Sequence, residues 1–436
     1  MMPHRDETVS RLLSLSMDRR ISRRGVLRRA AALGASVPLT GALMATHGRM
    51  RPAFAQEGSP AAAPPSGDPI KIGASISTTG SNGRTGLYQK EAYELWMNQK
   101  NAAGGVLGRP VEMVIYDDQS DPTTGARLYE RLLTEDEVDL VLGPYASSVT
   151  QAVAQVTERY GQPLLAAGAS ASDIWARGYQ GIFGVYSIAE DYFKDIVLEI
   201  ATAQGYTTAA IIYEDTLFPT STANGAKAHC EEAGIEVVVN EKYPGKATDV
   251  SSVLTRVRDA NPDMLIGGSY LPDAVLITRQ SKELGVNPKL SAYSVGAAQP
   301  DFVETLGIDA DFVLGPSMWE PEIETPGNAE FIEQYRASFN RDPDYHSATG
   351  YAGCQILEAA ITQVGEIDPE GVRDALRGLE MATILPGVYK VNEEGQQIGH
   401  IPLTVQWQAG KKVIVTPADL ANGELQLPTP PWDQRG

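Results

Sequence analysis

Short apolar runs alternate with longer segments of helical period along most of the chain. Runs rich in Val, Ile and Leu are followed by stretches in which apolar residues recur every three or four positions. Helices are predicted around Gly86–Asn101, Thr123–Thr134 and Ser147–Tyr160. Strands are predicted at Lys71–Ile76, Val111–Tyr116, Val138–Leu142, Pro163–Ala166, Phe183–Val185, Ala209–Tyr213, Val237–Val239, Met264–Ile266 and Leu290–Tyr293. Nearly continuous apolar strands separated by helices predict parallel sheets that are covered on both faces.

The length and the end of the chain refine this picture. A single doubly wound sheet rarely uses about 350 residues, so two α/β lobes are predicted. Near the end, three more strands are separated by turns at Gly395 and at Ala409-Gly410. These strands are Tyr389–Val391, Leu403–Trp407 and Lys412–Val415. Their short turns predict antiparallel hairpins.

The first 55 residues carry an export pattern. Arg23 and Arg24 precede an apolar stretch, Ala30–Leu43, and then the small-residue pattern Ala53-Phe54-Ala55. The apolar stretch falls short of the roughly 20 residues that a membrane span needs. Residues 1–55 are therefore predicted to be a cleaved twin-arginine signal peptide, which places the mature protein in the periplasm or outside the cell. The alternative is an arginine-rich disordered tail.

The net charge becomes more negative when residues 1–55 are left out of the count. The whole chain has 36 basic and 55 acidic residues, and residues 1–55 hold ten Arg and three acidic residues, which leaves 26 basic and 52 acidic residues and a net of −26. Such a field repels nucleic acid, anionic lipid and polyanionic ligands. Residues 56–69, rich in Pro, Ala and Gly, predict a disordered linker. Cys230 and Cys354 are predicted to be buried free thiols, with one disulfide as the alternative.

Several short motifs carry a resemblance that runs almost the length of the mature chain. They are Ile72-Gly73-Ala74, Thr79-Gly80, Asn101–Gly105, Tyr116–Pro122, Leu142–Tyr145, Ala167–Ser172, Tyr213–Asp215, Gly268–Asp273, Lys282–Gly285, Gln406-Trp407 and Gly410-Lys411. In order and spacing, the chain resembles extracellular solute-binding proteins of the branched-chain amino-acid and amide type, which have the type I periplasmic-binding fold. The resemblance implies a monomeric receptor that delivers a small molecule to the membrane subunits of an ABC permease, without a cofactor.

The resemblance also implies how the lobes are connected. Two doubly wound lobes would be joined by a three-crossing hinge. The crossings are expected near Val185–Ile188, Gly315–Trp319 and Thr383–Val388. The N-lobe would comprise residues 70–186 and 318–382, the C-lobe residues 187–317 and 383–416, and residues 417–436 a Pro-rich C-terminal tail.

A ligand site is predicted where strands end and loops lead into helices. Gly143–Ser148 lies there, directly before a helix. Its free N–H groups, the helix dipole and the hydroxyls of Ser147 and Ser148 favour a carboxylate. Backbone groups around Ala169 and Ser170, after the next strand, can reach the same place. The alternative is that one of the two serines only caps the helix.

The second half adds further candidates for the ligand site. Asp273 aligns with the acidic residue that holds a ligand's ammonium group in the family; its alternative is a helix first-turn residue. Tyr186, Phe218, Tyr270 and Trp319 are predicted walls of the cleft, and each alone could be ordinary core. Arg84 is a second candidate partner for a carboxylate, with an exposed loop arginine as the alternative.

Other chemistry finds no support in the sequence. Asp117-Asp118 is better explained as a turn than as an acid–base pair, and His229, His346 and His400 lack metal-ligand spacing. An enzyme is therefore not predicted, and His346 is interpreted as structural. The expected ligand is a small carboxylate, first of all an amino acid, with aromatic carboxylates and short amides as alternatives. A ligand-sensing module is the alternative role.

Overall fold

Two β-sheets organise the chain, and the computed structural model describes residues 63–435. The first sheet is entirely parallel, with strand order β2-β1-β3-β4-β5. Its strands are β1 (Ile70–Ile76), β2 (Val111–Asp117), β3 (Leu140–Leu142), β4 (Leu164–Ala166) and β5 (Ile182–Gly184). Their residues are mostly buried, as expected for a sheet covered on both faces.

The second sheet has seven strands in the order β12-β11-β10-β9-β8-β6-β7. They are β6 (Thr208–Glu214), β7 (Glu236–Tyr243), β8 (Met264–Gly268), β9 (Leu290–Tyr293), β10 (Leu314–Ser317), β11 (Leu403–Gln408) and β12 (Lys411–Thr416). Strand β11 runs antiparallel to both β10 and β12, and the other pairs are parallel. The predicted antiparallel ending is thus found at β11 and β12.

Ten α-helices cover the sheets in the described part of the chain. They are α1 (Gly83–Ala102), α2 (Pro122–Thr134), α3 (Ser147–Arg159), α4 (Leu217–Ala233), α5 (Ser251–Ala260), α6 (Leu271–Leu284), α7 (Pro300–Leu306), α8 (Asn328–Phe339), α9 (Tyr345–Val364) and α10 (Pro369–Gly378). Another short helix is π-helical over Ile196–Ala201. The two-lobed α/β fold predicted from the sequence is confirmed.

Helix α9 shows how local sequence fixes an element that later matters for the site. Asp344 caps it by accepting hydrogen bonds from the backbone N–H groups of His346 (2.9 Å) and Ser347 (3.0 Å). The helix packs tightly on the first sheet, because a Cβ added at Gly353 would lie only 3.0 Å from the Ala167 side chain. The cap fixes the first turn of α9, and the close packing at Gly353 holds the helix against the segment that follows β4.

The chain passes between the lobes three times. It leaves the first lobe after β5, returns after β10 and leaves again before β11. The hairpin around Gly395, which precedes β11, is attached to the first lobe. Gly184 N donates to Gly395 O (2.8 Å), and Gln397 Nε2 donates to Val185 O (3.3 Å). The lobe limits remain a prediction, and these contacts favour a third crossing after residue 398 instead of near Thr383–Val388.

One histidine connects the three crossings. His400 is buried, its Nδ1 lies 2.9 Å from Ser187 Oγ, and its Nε2 lies 2.9 Å from the Met318 carbonyl oxygen. Burial lowers the pKa of His400 to about 4. A neutral imidazole therefore joins all three segments of the hinge.

A signal peptide and a linker are predicted at the start of the chain, and a Pro-rich tail is predicted at its end. The predicted signal peptide and residues 56–62 of the linker lie outside the described residues. At the end of the linker, Ser66 N donates to Gly108 O at 2.9 Å, so this part lies against the first lobe. The C-terminal tail lies along the second lobe, where Thr429 N donates to Lys289 O at 2.8 Å and Trp432 Nε1 donates to Val286 O at 2.8 Å.

Candidate functional site

The two sheets present equivalent edges to each other. Each sheet has a point from which successive strands are added in opposite directions across the sheet. It lies between β1 and β3 in the first sheet and between β6 and β8 in the second. Loops that leave such strand pairs at their carboxyl ends form a crevice, which is the usual ligand site of open α/β sheets. The segments after these four strands contribute about half of the residues that line two neighbouring cavities between the lobes.

The first cavity, here called the aromatic cavity, has a volume of ≈ 10 Å³, room for about one water molecule, so its walls must separate before it can hold a larger ligand. Six aromatic rings dominate its wall, together with small residues from the loops after β3 and β4. Its lining residues are Tyr145, Ala146, Ser147, Gly168, Ala169, Ser170, Tyr186, Tyr192, Phe218, Tyr270, Val295, Tyr345 and His346. The first lobe, the hinge and the second lobe all contribute to this wall.

Ser147 joins two loops of the first lobe at this cavity. Its Oγ accepts hydrogen bonds from the backbone N–H groups of Ser170 (3.2 Å) and Ala171 (3.3 Å). The N-cap position of α3 is Ala146, which makes no side-chain cap bond, so Ser147 is the first residue of the helix and is not its cap. Among the described residues its hydroxyl proton has no acceptor, and it can be donated to a ligand at the positive end of α3.

The aromatic rings are packed against one another across the lobes. Phe218 and Tyr270 have ring centroids 5.6 Å apart, Tyr192 and Phe218 5.2 Å, and Tyr145 and Tyr270 6.4 Å. Ser170 Oγ also donates to the Tyr192 hydroxyl at 3.2 Å. Burial raises the pKa of Tyr145, Tyr186 and Tyr270 well above the ordinary value, so these hydroxyls stay neutral hydrogen-bonding groups.

A histidine faces the same cavity from the first turn of α9. His346 Nδ1 lies 3.0 Å from Asp344 Oδ2, and its Nε2 lies 3.4 Å from the Tyr145 hydroxyl. Burial works to raise the pKa of Asp344, but its contacts with His346 and with backbone N–H groups outweigh burial and lower it. Asp344 is therefore ionised and orients the imidazole.

The second cavity, here called the acidic cavity, is larger and lies on the other side of Tyr270. Its volume is ≈ 280 Å³. Polar residues of both lobes line it: Ser81, Asn82, Ser120, Pro122 and Ser148 from the first, and Glu214, Thr216, Gly245, Lys246, Tyr270, Pro272 and Asp273 from the second. It is the only one of the two to contain carboxylates.

The two carboxyl groups in the acidic cavity contact each other. Burial and the neighbouring Asp273 raise the pKa of Glu214 to about 8, and burial raises the pKa of Asp273. Glu214 therefore holds the proton that the pair shares. Asp273 also accepts a hydrogen bond from the backbone N–H of Tyr270 at 3.2 Å, as a helix first-turn residue does. Neither carboxylate forms an ion pair with a basic side chain in the described part of the protein.

The structure brings most of the predicted site residues together. Ser147, Ala169, Ser170, Tyr186, Phe218 and Tyr270 line the aromatic cavity. Ser148, Tyr270 and Asp273 line the acidic one. The predicted set is thus divided between two cavities, with Tyr270 as the shared wall.

Two predicted residues lie elsewhere and are withdrawn from the candidate site. Trp319 is buried in the first lobe, where its ring meets Phe331 at 5.8 Å and its Nε1 donates to Asn328 Oδ1 at 2.8 Å. Arg84 is half exposed and forms an ion pair with Asp301 across the lobes, with Nε 2.7 Å from Oδ1. Trp319 is core, and the charge of Arg84 is already neutralised.

Sequence reasoning missed several residues of the two cavities. Tyr145 and Glu214 stand inside motifs that carried the resemblance, so their positions after β3 and at the end of β6 were a usable signal. Tyr192, Tyr345 and His346 had no such signal. His346 was interpreted as structural, whereas the structure places it on the wall of the aromatic cavity.

Membrane-spanning helices, disulfides and clusters of metal ligands are absent from residues 63–435. No group of three or more His, Cys, Asp or Glu side chains there is arranged to hold a metal ion. None of the helices in this range is both long enough and apolar enough to cross a membrane. Cys230 and Cys354 are buried and unpaired.

Two α/β lobes, a three-crossing hinge and cavities between the lobes define a two-lobed receptor for a small solute. A family model described as periplasmic binding protein matches residues 69–412. This match spans well over half of the sequence, and the chain belongs to the periplasmic binding protein family. The predicted family and type I fold are thereby confirmed, and the family places the protein in the periplasm.

Individual relatives agree with this assignment. The Leu/Ile/Val-binding protein homolog 7 of Brucella suis biovar 1 is 29% identical over 391 residues, covering 84% of this chain and 96% of the relative. The substrate-binding protein LivJ of Streptococcus pneumoniae, solved with isoleucine, has a TM-score of 0.72 and 21% identity, covering 80% of this chain and 100% of that one. A solute-binding protein of an ABC transporter from Rhodopseudomonas palustris BisB5, solved with 3,4-dihydroxy benzoic acid, has a TM-score of 0.71 and 21% identity, covering 79% and 95%.

Proposed function

We propose that this periplasmic binding protein captures a small carboxylate between its lobes and delivers it to an ABC permease. It acts as a monomer, has no catalytic activity, and reaches the periplasm by the twin-arginine route after removal of residues 1–55. The observation that carries the proposal is the aromatic cavity at the N-terminus of α3, where Ser147 has a hydroxyl proton to donate. Closure of the lobes around the ligand gives the permease a distinct liganded state to recognise.

The aromatic cavity supports a carboxylate over a cation or a polyanion. Ser147 and the end of α3 supply hydrogen-bond donors without a full positive charge. No Lys or Arg lines this cavity, so two or three negative charges would not be neutralised. A single carboxylate with an apolar body fits these constraints.

An amino acid is the first candidate ligand. Its carboxylate would bind at Ser147 and Ser170, and its ammonium group would replace the proton that Glu214 and Asp273 share. Relatives named for leucine, isoleucine and valine binding support this candidate. The candidate requires the ligand to pass beside Tyr270, which lines both cavities.

An aromatic carboxylate is the second candidate, and a specific observation favours it. Six aromatic rings surround the cavity that contains the serines, whereas Asp273 lies in the neighbouring one. Ring-on-ring contacts contribute about 0.5–1.5 kcal/mol each beyond the area that they bury. A benzoate-like ligand therefore needs no contact with Asp273.

Thermal unfolding with named probes separates these candidates. A ligand at about 100 times its dissociation constant adds roughly 2.7 kcal/mol of stability. Isoleucine and benzoate are tested on the parent protein and on Asp273→Asn, which keeps an oxygen for the Tyr270 N–H but removes the charge. Loss of the isoleucine shift alone supports the amino-acid assignment. An isoleucine shift that survives in Asp273→Asn contradicts the ammonium site, and absence of any shift with both probes and their analogues contradicts the carboxylate proposal.

The transport role has its own test. A strain that lacks the gene is assayed for uptake of each ligand that the purified protein binds, with the complemented strain as control. Reduced uptake that complementation restores is the expected result. Unchanged uptake of all of them would instead favour the sensing role.

A further inference from the structure

The Tyr345 hydroxyl is buried beside the aromatic cavity without a hydrogen-bond partner. Tyr345 is only 1% exposed and lines the cavity, and its hydroxyl contacts no donor or acceptor within residues 63–435. Burial, together with the nearby hydroxyls of Tyr192, Tyr145 and Tyr186, raises its pKa well above the ordinary value. Buried polar groups in native proteins are nearly always paired, so an unpaired one on a cavity wall indicates a partner that binds there.

The imidazole of His346 offers a second atom at the same wall, Nε2, which has only one long hydrogen bond. It stacks on the Tyr345 ring, with centroids 3.9 Å apart. Nδ1 is engaged with Asp344 at 3.0 Å, so Nε2 is the ring nitrogen left to bond a ligand. The nearest donor to Nε2 is the Tyr145 hydroxyl at 3.4 Å, which is beyond the length of a strong hydrogen bond.

These two atoms can be satisfied by one kind of group. Nε2 of His346 accepts or donates a hydrogen bond according to its protonation, and the Tyr345 hydroxyl can do either. A ligand hydroxyl also donates one hydrogen bond and accepts another, so it can pair with both atoms in whichever direction each bond takes. An ammonium group has no lone pair to accept with, and no free carboxylate faces this cavity to neutralise it.

We infer that His346 and Tyr345 form a hydroxyl-binding subsite of the aromatic cavity, so that the ligand is a small carboxylate that also carries a hydroxyl group. This inference rests on the proposed function, which supplies the carboxylate and the site. His346 and Tyr345 touch the ligand's hydroxyl, and Asp344 is a positioning residue that holds the imidazole ring in its orientation. A ligand without the hydroxyl leaves two buried polar atoms unpaired, which is the strongest basis for rejecting such an analogue.

Matched ligand pairs that differ by one hydroxyl test the inference by isothermal titration calorimetry. The pairs are benzoate and 4-hydroxybenzoate, phenylalanine and tyrosine, and valine and threonine. In a pair that binds, the parent protein should prefer the hydroxylated member by about tenfold or more. Tyr345→Phe removes one oxygen and keeps the ring, and it should reduce this ratio of dissociation constants to about one. His346→Phe should do the same.

A matched control exists in the second lobe. Tyr206 is also buried and its hydroxyl also lacks a partner among the described residues, but it does not line the aromatic cavity. Tyr206→Phe should therefore keep the parent's preference. Should His346→Phe fail to fold, Tyr345→Phe alone decides the question.

The outcomes separate the inference from the proposed function. Binding without preference for the hydroxylated member, or a preference that Tyr345→Phe leaves intact, overturns the inference and leaves the carboxylate receptor standing. If no member of any pair binds, the proposed function fails and the inference fails with it. A preference lost in Tyr345→Phe and kept in Tyr206→Phe supports both.

Discussion

The two cavities on either side of Tyr270 are built on opposite electrostatic principles. The aromatic cavity is small and walled by rings, and its polar groups are neutral hydroxyls, backbone N–H groups and an imidazole. The acidic cavity is much larger, with a volume of ≈ 280 Å³ against ≈ 10 Å³, and contains two buried carboxyl groups that share a proton. One wall residue thus separates a region suited to a carboxylate from a region suited to a cation.

The difference shows how one fold can accept different ligand classes. The loops after the strands at the crevice are fixed in place by the sheets, whereas the side chains on them decide the charge of each cavity. A zwitterion would use both cavities at once, and an aromatic acid would use only the first. The ligand class therefore depends on whether the acidic cavity takes part in binding.

The largest effect is expected from removing the wall between the cavities. Tyr270→Ala deletes a buried ring that packs on Phe218 and Tyr145, and the cost should be about 3–5 kcal/mol in the free energy of unfolding. Urea unfolding measures this loss. Tyr270→Phe is the matched control, because it keeps the ring and should cost much less. A loss below about 1 kcal/mol for Tyr270→Ala would mean that the wall is not a packed one.

A change in the hinge should affect both cavities alike. His400→Leu leaves the Ser187 hydroxyl and the Met318 carbonyl oxygen without their partner, at a cost of about 1–3 kcal/mol for each buried group. The pKa of His400 is about 4 in the folded protein and near 6.5 when unfolded. Its contribution to stability is therefore complete above pH 6.5 and is lost as the pH falls through about 4.

The measurement for the hinge prediction is urea unfolding across pH 4 to 8. His400→Leu should flatten the acid side of the parent's stability curve. Ligand binding should weaken in the variant whichever cavity the ligand uses, because the hinge sets the positions of both lobes. An acid limb identical to the parent's would contradict the role of His400.

The fold could be predicted from the sequence because its signals are local. Apolar strands alternate with helical segments, and each strand is readable within a few residues, as Leu290–Tyr293 shows. The strand β10 was missed because Leu314–Ser317 lies where a hinge crossing was predicted and contains a Pro. The hairpin before β11 was predicted to belong to the C-lobe, whereas its hydrogen bond with Gly184, about 200 residues away along the chain, favours the first lobe.

The site was predictable only where a motif fixed its position. Ser147 and Ser170 follow neighbouring strands, so their proximity follows from the order of a parallel sheet. Tyr345 and His346 reach the same cavity through the packing of α9 on β4, which no nearby sequence feature specifies. Trp319 failed as a wall residue because an aromatic residue near a hinge packs equally well into a core.

A third prediction sharpens the comparison through pH. The pKa of Glu214 is about 8 in the folded protein and 4.5 in its ordinary state, so the folded protein retains a proton that the unfolded chain loses. Stability should therefore fall as the pH rises from about 5 to 8, with a slope of at most about 1.4 kcal/mol per pH unit. Glu214→Gln keeps a donor for Asp273 and should remove this slope.

The control for the acidic cavity is Glu283→Gln, at an exposed position of α6. It should leave the pH dependence of the parent unchanged. If Glu214→Gln also leaves it unchanged, the two carboxyl groups do not share a proton, and the contrast between the cavities loses its electrostatic basis.

The smallest effect is expected at the ion pair that bridges the lobes outside both cavities. Arg84 on α1 contacts Asp301 on α7, and Arg84 is 51% exposed, so Arg84→Ala should cost only about 0.2–1 kcal/mol. Lys282→Ala is the matched control, because Lys282 is 48% exposed and pairs with Asp309 within the second lobe. The two variants should have almost the same free energy of unfolding. Only Arg84→Ala should weaken ligand binding, by at most about fivefold and less at high salt, because its pair depends on the closed arrangement of the lobes. Equal affinities in the two variants would show that this pair does not contribute to closure.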